Sequence, residues 1–259
     1  MFQQLSDTTA VLRAPNPSPM TLTGTNSYLL GEHGPRPAAP VVVIDPGPEQ
    51  LEHLQALAAY DIRLVLVTHR HADHTAGIDT LHDLTGTPVA AADASYCRHH
   101  APLRDGQLIT QAGVRLRVVA TPGHTADSLC FVNETPGAPA ELFSGDTLLG
   151  EGTTVLDYPD GTLGDYLASL ARLAALPEAA LRPGHGSQHA RMHPVIEQYR
   201  LHREQRLEAL RQAIEWLRTN GQDPSRENLL ARVYPEVPAH LLGAAEKSLD
   251  AQLHYLDRA

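Results

Sequence analysis

Fifteen histidines against a single lysine, Lys247, is a usage that neither charge nor packing requires. Metal or acid–base chemistry is therefore the first question. After the apolar run Leu64-Val65-Leu66-Val67 comes Thr68-His69-Arg70-His71-Ala72-Asp73-His74, the pattern His-x-His-x-Asp-His. Residues two apart at the end of an extended segment point to one side, so His69 and His71 can share one metal ion. The chain then turns, and Asp73 and His74 face a neighbouring position. Two adjacent metal sites are implied. Three further candidates each follow a glycine at a strand end: His124 in Thr121-Pro122-Gly123-His124-Thr125, Asp146 in Phe143-Ser144-Gly145-Asp146-Thr147, and His185 in Arg182-Pro183-Gly184-His185-Gly186. Loops at strand ends are where sites are built, and glycine permits the tight or positive-φ turns that aim the next side chain inward. A lone Gly-His is ordinarily a turn. Three such residues are what a dinuclear site still needs.

These residues require strands to carry them. Short β-rich runs punctuated by Gly and Pro fill the first half: 27–30, 41–44, 64–68, 114–120, 129–133 and 141–144. Helical patterns lie at 49–60, 76–84 and 163–176, giving a mixed α/β (α+β) domain over residues 1–193. From Pro194 the texture changes to a long amphipathic helix ending near Asn220-Gly221, a second helix capped by Ser225 and a third from about Pro238 to Leu256. Residues 194–259 thus form a small helical C-terminal domain. Mean hydropathy is -0.24. The longest aliphatic runs, 41–44 and 64–67, fall far short of the roughly 20 residues that span a bilayer, so no membrane association is expected. The first ten residues lack a signal-peptide pattern, and the expected location is cytoplasmic. Cys97 and Cys130 are unsuited to a disulfide framework or a Cys-based metal site. The net charge of -10 weighs against non-specific nucleic-acid binding.

With these motifs in this order across residues 20–190, the sequence resembles the metallo-β-lactamase fold superfamily of hydrolases. The resemblance implies a four-layer αββα sandwich. It also assigns the ligands: His69, His71 and His124 to a first metal, Asp73, His74 and His185 to a second, and Asp146 as the bridge. Two divalent ions per chain are implied, zinc suiting the donor set best and Mn or Fe being accommodated. Within the superfamily the sequence resembles the lactamase-beta-like protein 2 endoribonucleases. That likeness rests on Asn16-Pro17, on Thr21-Leu22-Thr23-Gly24-Thr25-Asn26-Ser27-Tyr28-Leu29, on Phe143-Ser144-Gly145-Asp146, and on His202-Arg203-Glu204-Gln205 opening a winged-helix-like tail. One departure is Ser128, where the family pattern has a histidine.

The expected chemistry is hydrolysis by water activated between two cations, with Asp73 as the residue that orients it and takes its proton. Single-stranded RNA is the substrate that the narrower resemblance implies; a small acyl thioester, of the hydroxyacylglutathione or acyl-carrier type, is the alternative. A nucleic-acid-binding or dimerising module with weak catalysis is the reading from another class, and a homodimer is consistent with the apolar stripes of the tail. A mononuclear iron dioxygenase would not need the full ligand set. Asn26, in the Gly-Thr-Asn loop, and Arg200 and Arg203, on the tail, are the candidate substrate contacts, although Glu197 and Glu204 stand at helical pairing distance from Arg200.

Overall fold

The computed structural model describes residues 2–238 and 241–258. Its chain divides into two compact units, one of residues 1–121, 127–154 and 177–193, the other of 122–126, 155–176 and 194–259. The second unit thus takes in a helix and the loop of the candidate ligand His124 from the middle of the chain as well as the C-terminal segment.

The first unit holds two mixed sheets. One runs β1 (Phe2–Gln4), β2 (Thr9–Arg13), β3 (Asn26–Leu30), β4 (Pro40–Ile44), β5 (Asp61–Leu66), β6 (Val89–Ala90) in spatial order. Its first four strands pair antiparallel, and β4, β5 and β6 pair parallel. The other has the order β11 (Ala180–Pro183), β10 (Glu141–Gly145), β9 (Leu129–Asn133), β8 (Val114–Ala120), β7 (Leu108–Gln111), antiparallel except for β10 with β11. The run Val41–Ile44 shows why an unbroken apolar sequence suits a strand covered on both faces. Val42 and Ile44 join Tyr28, Leu64 and Leu66 against Leu116, Val118, Phe131 and Phe143 of the second sheet. Val41 and Val43 turn the other way, onto Leu54 and Leu57 of α1 (Leu51–Ala58) and Ile78 and Leu81 of α3 (Ile78–Thr85). Between these helices lies α2 (Ala72–Thr75), a single turn inside the histidine motif. A buried ion pair, Arg182 Nε to Glu141 Oε1 at 2.8 Å, is completed by the Thr9 hydroxyl on Oε2, tying β2 of one sheet to β10 of the other.

The second unit contains α4 (Leu163–Ala174), α5 (His193–Thr219), α6 (Arg226–Val233) and α7 (Leu242–Leu256). Thr162 caps α4 and Ser225 caps α6, each side chain accepting from a backbone N–H three residues on. Leu210, Ala213, Leu217, Leu229 and Leu249 form its apolar centre. Among the described residues, 194–258 include no strand, so the winged-helix likeness extends to helices alone. The helix expected from Pro238 begins at Leu242, with residues 239 and 240 outside the described residues. Trp216 of α5 is 41% exposed and carries the Arg232 guanidinium 3.6 Å above its ring.

On α1, His53 is buried, with Nε2 2.9 Å from Ser27 Oγ and a hydrogen bond to the Pro46 carbonyl. Burial lowers its pKa to about 4 against an ordinary value near 6.5, the bond to Pro46 opposing the shift only in part. Between those values the unfolded chain takes up a proton that the folded one refuses. Stability is therefore lost as pH falls from about 6.5 toward 4, by up to about 3 kcal/mol. His53→Asn should flatten this part of the pH profile, read as the urea midpoint of variant and wild type from pH 7 to 4; parallel profiles would refute it.

Candidate metal centre

The histidine motif leaves β5 with Val67 and Thr68, and what fixes it is a carboxylate at the end of the neighbouring strand. Asp45, the residue after β4, is buried with a positive φ of 57°. Its Oδ1 accepts from Thr68 N at 2.8 Å, and its Oδ2 accepts from Thr68 Oγ1 and from His74 Nδ1, each at 2.8 Å. Because Thr68 spends its proton on Asp45, its oxygen accepts from His69 Nδ1 at 3.0 Å. His185 Nδ1 faces the Gly24 carbonyl at 3.3 Å. Each of these partners accepts here, so His69, His74 and His185 carry a proton on Nδ1 and leave Nε2 as the nitrogen available to a metal.

The remaining nitrogens converge. His69 Nε2 lies 3.1 Å from His71 Nδ1, and His74 Nε2 lies 3.1 Å from His185 Nε2. Asp73 Oδ2 is 3.0 Å from His185 Nε2 and 3.6 Å from His74 Nε2; the two oxygens of Asp146 stand 3.4 Å from the same two nitrogens. Ligand atoms of His69, His74 and Asp146, and those of Asp73, His74 and His185, lie within 4.8 Å of one another. Two nitrogens sharing one tetrahedral zinc, each about 2.1 Å from it, would be roughly 3.4 Å apart. A shared cation is what would bridge ring nitrogens and carboxylate oxygens gathered at such spacings, so this donor set fits a metal.

Electrostatics agrees. Burial disfavours a charged His185, yet the Asp146 and Asp73 carboxylates hold its pKa up to about 9. His74 is likewise raised against the cost of burial, by Asp45 and Asp146. Burial would raise the Asp146 carboxyl, but His185 and His74 take it well below the usual range. The cavity favours positive charge.

Two glycines make the approach possible. At Gly145, φ is 48° and a Cβ would lie 2.5 Å from Thr68 Oγ1; at Gly184 a Cβ would meet Asp146 Oδ1 at 2.6 Å. The φ of Gly184 is not positive, so its role is the close approach and not the turn expected from the sequence. His124 belongs to the second unit, where its ring is buried and its Nδ1 lies 2.6 Å from the Val155 carbonyl. Again the acceptor leaves the lone pair on Nε2.

The expected substrate contacts need correction. Asn26 is fully buried; its Nδ2 donates to the Pro183 and Gly186 carbonyls at 3.0 Å each, and its Oδ1 accepts from Arg13 Nε at 3.2 Å. It clamps the loop carrying His185 and shows nothing to a ligand. The Arg203 side chain is buried with its guanidinium 5.0 Å from the Tyr166 ring centre, and Arg200 is bound by Glu197 at 2.7 Å and by Glu204. Asp45 is the functional residue that sequence reading missed. Its signal was an aspartate ending an apolar strand, followed by Pro46-Gly47.

Comparison with known proteins agrees with this geometry. Residues 20–185 match the model of the metallo-beta-lactamase superfamily. A beta-lactamase-like protein 2 homolog of Caenorhabditis elegans is 34% identical over 220 residues, covering 79% of this chain and 70% of its own. An atrochrysone carboxyl ACP thioesterase of Aspergillus fumigatus is 34% identical over 203 residues, 74% of this chain and 60% of its own. A crystal structure of a beta-lactamase domain protein from Burkholderia ambifaria superposes with a TM-score of 0.79 at 21% identity, covering 99% of this chain and 88% of that one.

Asp45→Asn keeps the shape at that position but replaces one acceptor oxygen by a donor, so it should weaken metal binding by about 10- to 100-fold. Competition with a chromophoric chelator measures this, and unchanged affinity would remove Asp45 from the centre.

Proposed function

The chain belongs to the metallo-beta-lactamase superfamily of metal-dependent hydrolases, as a relative of the beta-lactamase-like protein 2 homologues, and from that membership we propose a dinuclear zinc hydrolase acting on an acyl thioester. The observation that carries the metal reading is the set of imidazoles of His69, His74 and His185, each anchored through Nδ1 so that Nε2 is left to a metal, with Asp73 and Asp146 facing the Nε2 atoms of His74 and His185. His69, His71 and His124 would hold one ion, Asp73, His74 and His185 the other, and Asp146 would bridge; Mn or Fe would also suit these donors. When bound, such a pair supplies an acidified water and an electrophile for the oxygen under attack.

The protein's own part is positioning. Asp73, 27% exposed at its side chain, is the one carboxylate of the cluster open enough to meet solvent. It orients the attacking water, accepts its proton and passes that proton to the leaving thiolate. Ser27 and His53 resemble a nucleophile and base at 2.9 Å, but both are buried and serve the fold.

Two observations favour a thioester over RNA: the A. fumigatus relative is named as a thioesterase, and Arg200 and Arg203 are already engaged. A chain of net charge -10 offers phosphates little else. Single-stranded RNA, which the likeness to lactamase-beta-like protein 2 suggested, is the alternative, and a phosphodiester would meet the same donors.

Acyl-CoA and acyl-pantetheine turnover should vanish with chelator, return with zinc and change little between 50 and 300 mM salt. Arg200→Ala should leave it unaltered. RNA cleavage falling steeply with salt, without thioester turnover, would reverse the substrate assignment. Asp146→Ala should lose both ions by elemental analysis and at least about 100-fold in kcat; a variant that retains both ions would refute the bridge.

A further inference from the structure

His124 is the one ligand of the proposed set carried by the second unit, and that unit surrounds it with a chain of bonds the hydrolytic chemistry does not use. The His124 ring is held through Nδ1 by the Val155 carbonyl. Its own carbonyl accepts from Asp157 N at 2.9 Å, and the Asp157 carbonyl accepts from Gly161 N at 3.1 Å. The loop behind the ring is equally constrained. Ala126 N donates to Asp160 Oδ2 at 2.8 Å, and Ser169 Oγ of α4 donates to the Pro122 carbonyl at 2.7 Å. At Gly123, φ is 141° and a Cβ would overlap the backbone of Tyr166, so the loop lies directly on α4.

The segment that grips His124 is itself gripped by the C-terminal helix. Lys247, the sole lysine of the sequence, donates to Asp157 Oδ1. Seven residues on, His254 sets its ring 5.6 Å from that of Tyr158. Two turns apart on α7, these residues share one face and engage neighbouring residues of the loop. An ammonium where arginine supplies every other non-histidine cation is a compact charge that reaches one carboxylate oxygen.

We propose that Lys247 is a positioning residue for His124, acting through Asp157, so that α7 governs how tightly one of the two metal ions is held. This deepens the hydrolase reading and rests on His124 being a ligand. Lys247 restrains Asp157, whose backbone N–H fixes the His124 carbonyl while Val155 fixes the ring. Without the ammonium the 155–161 loop gains freedom, and the Nε2 lone pair is presented for a smaller fraction of the time. The other ion, held by Asp73, His74 and His185 in the first unit, lacks this dependence.

The test loads the full chain with Co(II) and follows its visible absorption during chelator competition, which resolves the two ions independently of turnover. Lys247→Ala should weaken one ion by roughly two- to fivefold, change its absorption band and leave the other alone; Lys247→Arg should restore most of the affinity. Asp157→Asn, which keeps the backbone bond and removes the charge, should weaken the same ion and carries the test if Lys247→Ala does not fold. Arg226→Ala breaks the α6–α7 pair with Asp250, whose Nε–Oδ1 distance is 2.7 Å, and should leave both ions unchanged. Equal weakening by Arg226→Ala would reduce the effect to general loosening and overturn the proposal. So would unchanged affinities in Lys247→Ala and Asp157→Asn while His124→Ala loses an ion. If His124→Ala keeps both ions, the ligand assignment beneath the proposal fails instead.

Discussion

Asp45 is the constraint on which the centre turns. A buried carboxylate costs several kcal/mol unless its oxygens are satisfied, and here three donors converge on it: the backbone and hydroxyl of Thr68 and the ring of His74. Reaching them from the end of β4 forces Asp45 into the left-handed region, a strain that the surrounding bonds must exceed. The return is a decision about protons. Because Thr68 gives its only hydroxyl hydrogen to Asp45, its contact with His69 Nδ1 is one it accepts, so a single carboxylate orients the rings of two candidate ligands. The same turn reaches the motif's helical end: Gly47 N donates to the His74 carbonyl at 3.3 Å, and Gly77 N donates to that of Gly47 at 3.0 Å. Metal geometry is thereby written into the parallel pairing of β4 with β5, whose register sets Ile44 opposite Leu66.

This explains what could be read from the chain and what could not. His69, His71, Asp73 and His74 stand within six residues after an apolar run, so their convergence needs only a strand that ends where the run ends. The apolar strands β4, β8 and β9 were equally legible, because burial on both faces or strict alternation leaves a pattern in composition. β2, β7 and β11 were not. Thr9–Arg13 has a polar start, Leu108–Gln111 is an edge strand with only Ile109 buried, and Ala180–Pro183 is too short to show a period. Their place comes from long-range pairing. Asn26 and Arg203 fail for a related reason: a polar residue in a promising loop or helix looks the same whether it meets a ligand or closes a buried network. Only the carbonyls of Pro183 and Gly186, or the face of Tyr166, distinguish the two.

The charges also bear on the proposed substrate. With the imidazoles neutral, as metal ligands must be, the carboxylates of Asp45, Asp73 and Asp146 leave a local charge of about -3, which a pair of divalent ions would turn into about +1. Such a centre can stabilise the single negative charge that develops on a carbonyl oxygen in acyl transfer without holding an anionic product strongly. A polyanion would need further cations along its length. The long helix α5 puts Arg200 between Glu197 and Glu204 and stacks Arg203 on Tyr166, so these two charges are spent within the helical unit. The distribution of charge in the sequence conceals this. Residues 191–259 carry 10 basic and 10 acidic side chains, which by count alone makes them the less acidic part of the chain. What a phosphate would meet is set by pairing, and pairing at three- and four-residue spacing on a helix neutralises an arginine before any ligand arrives.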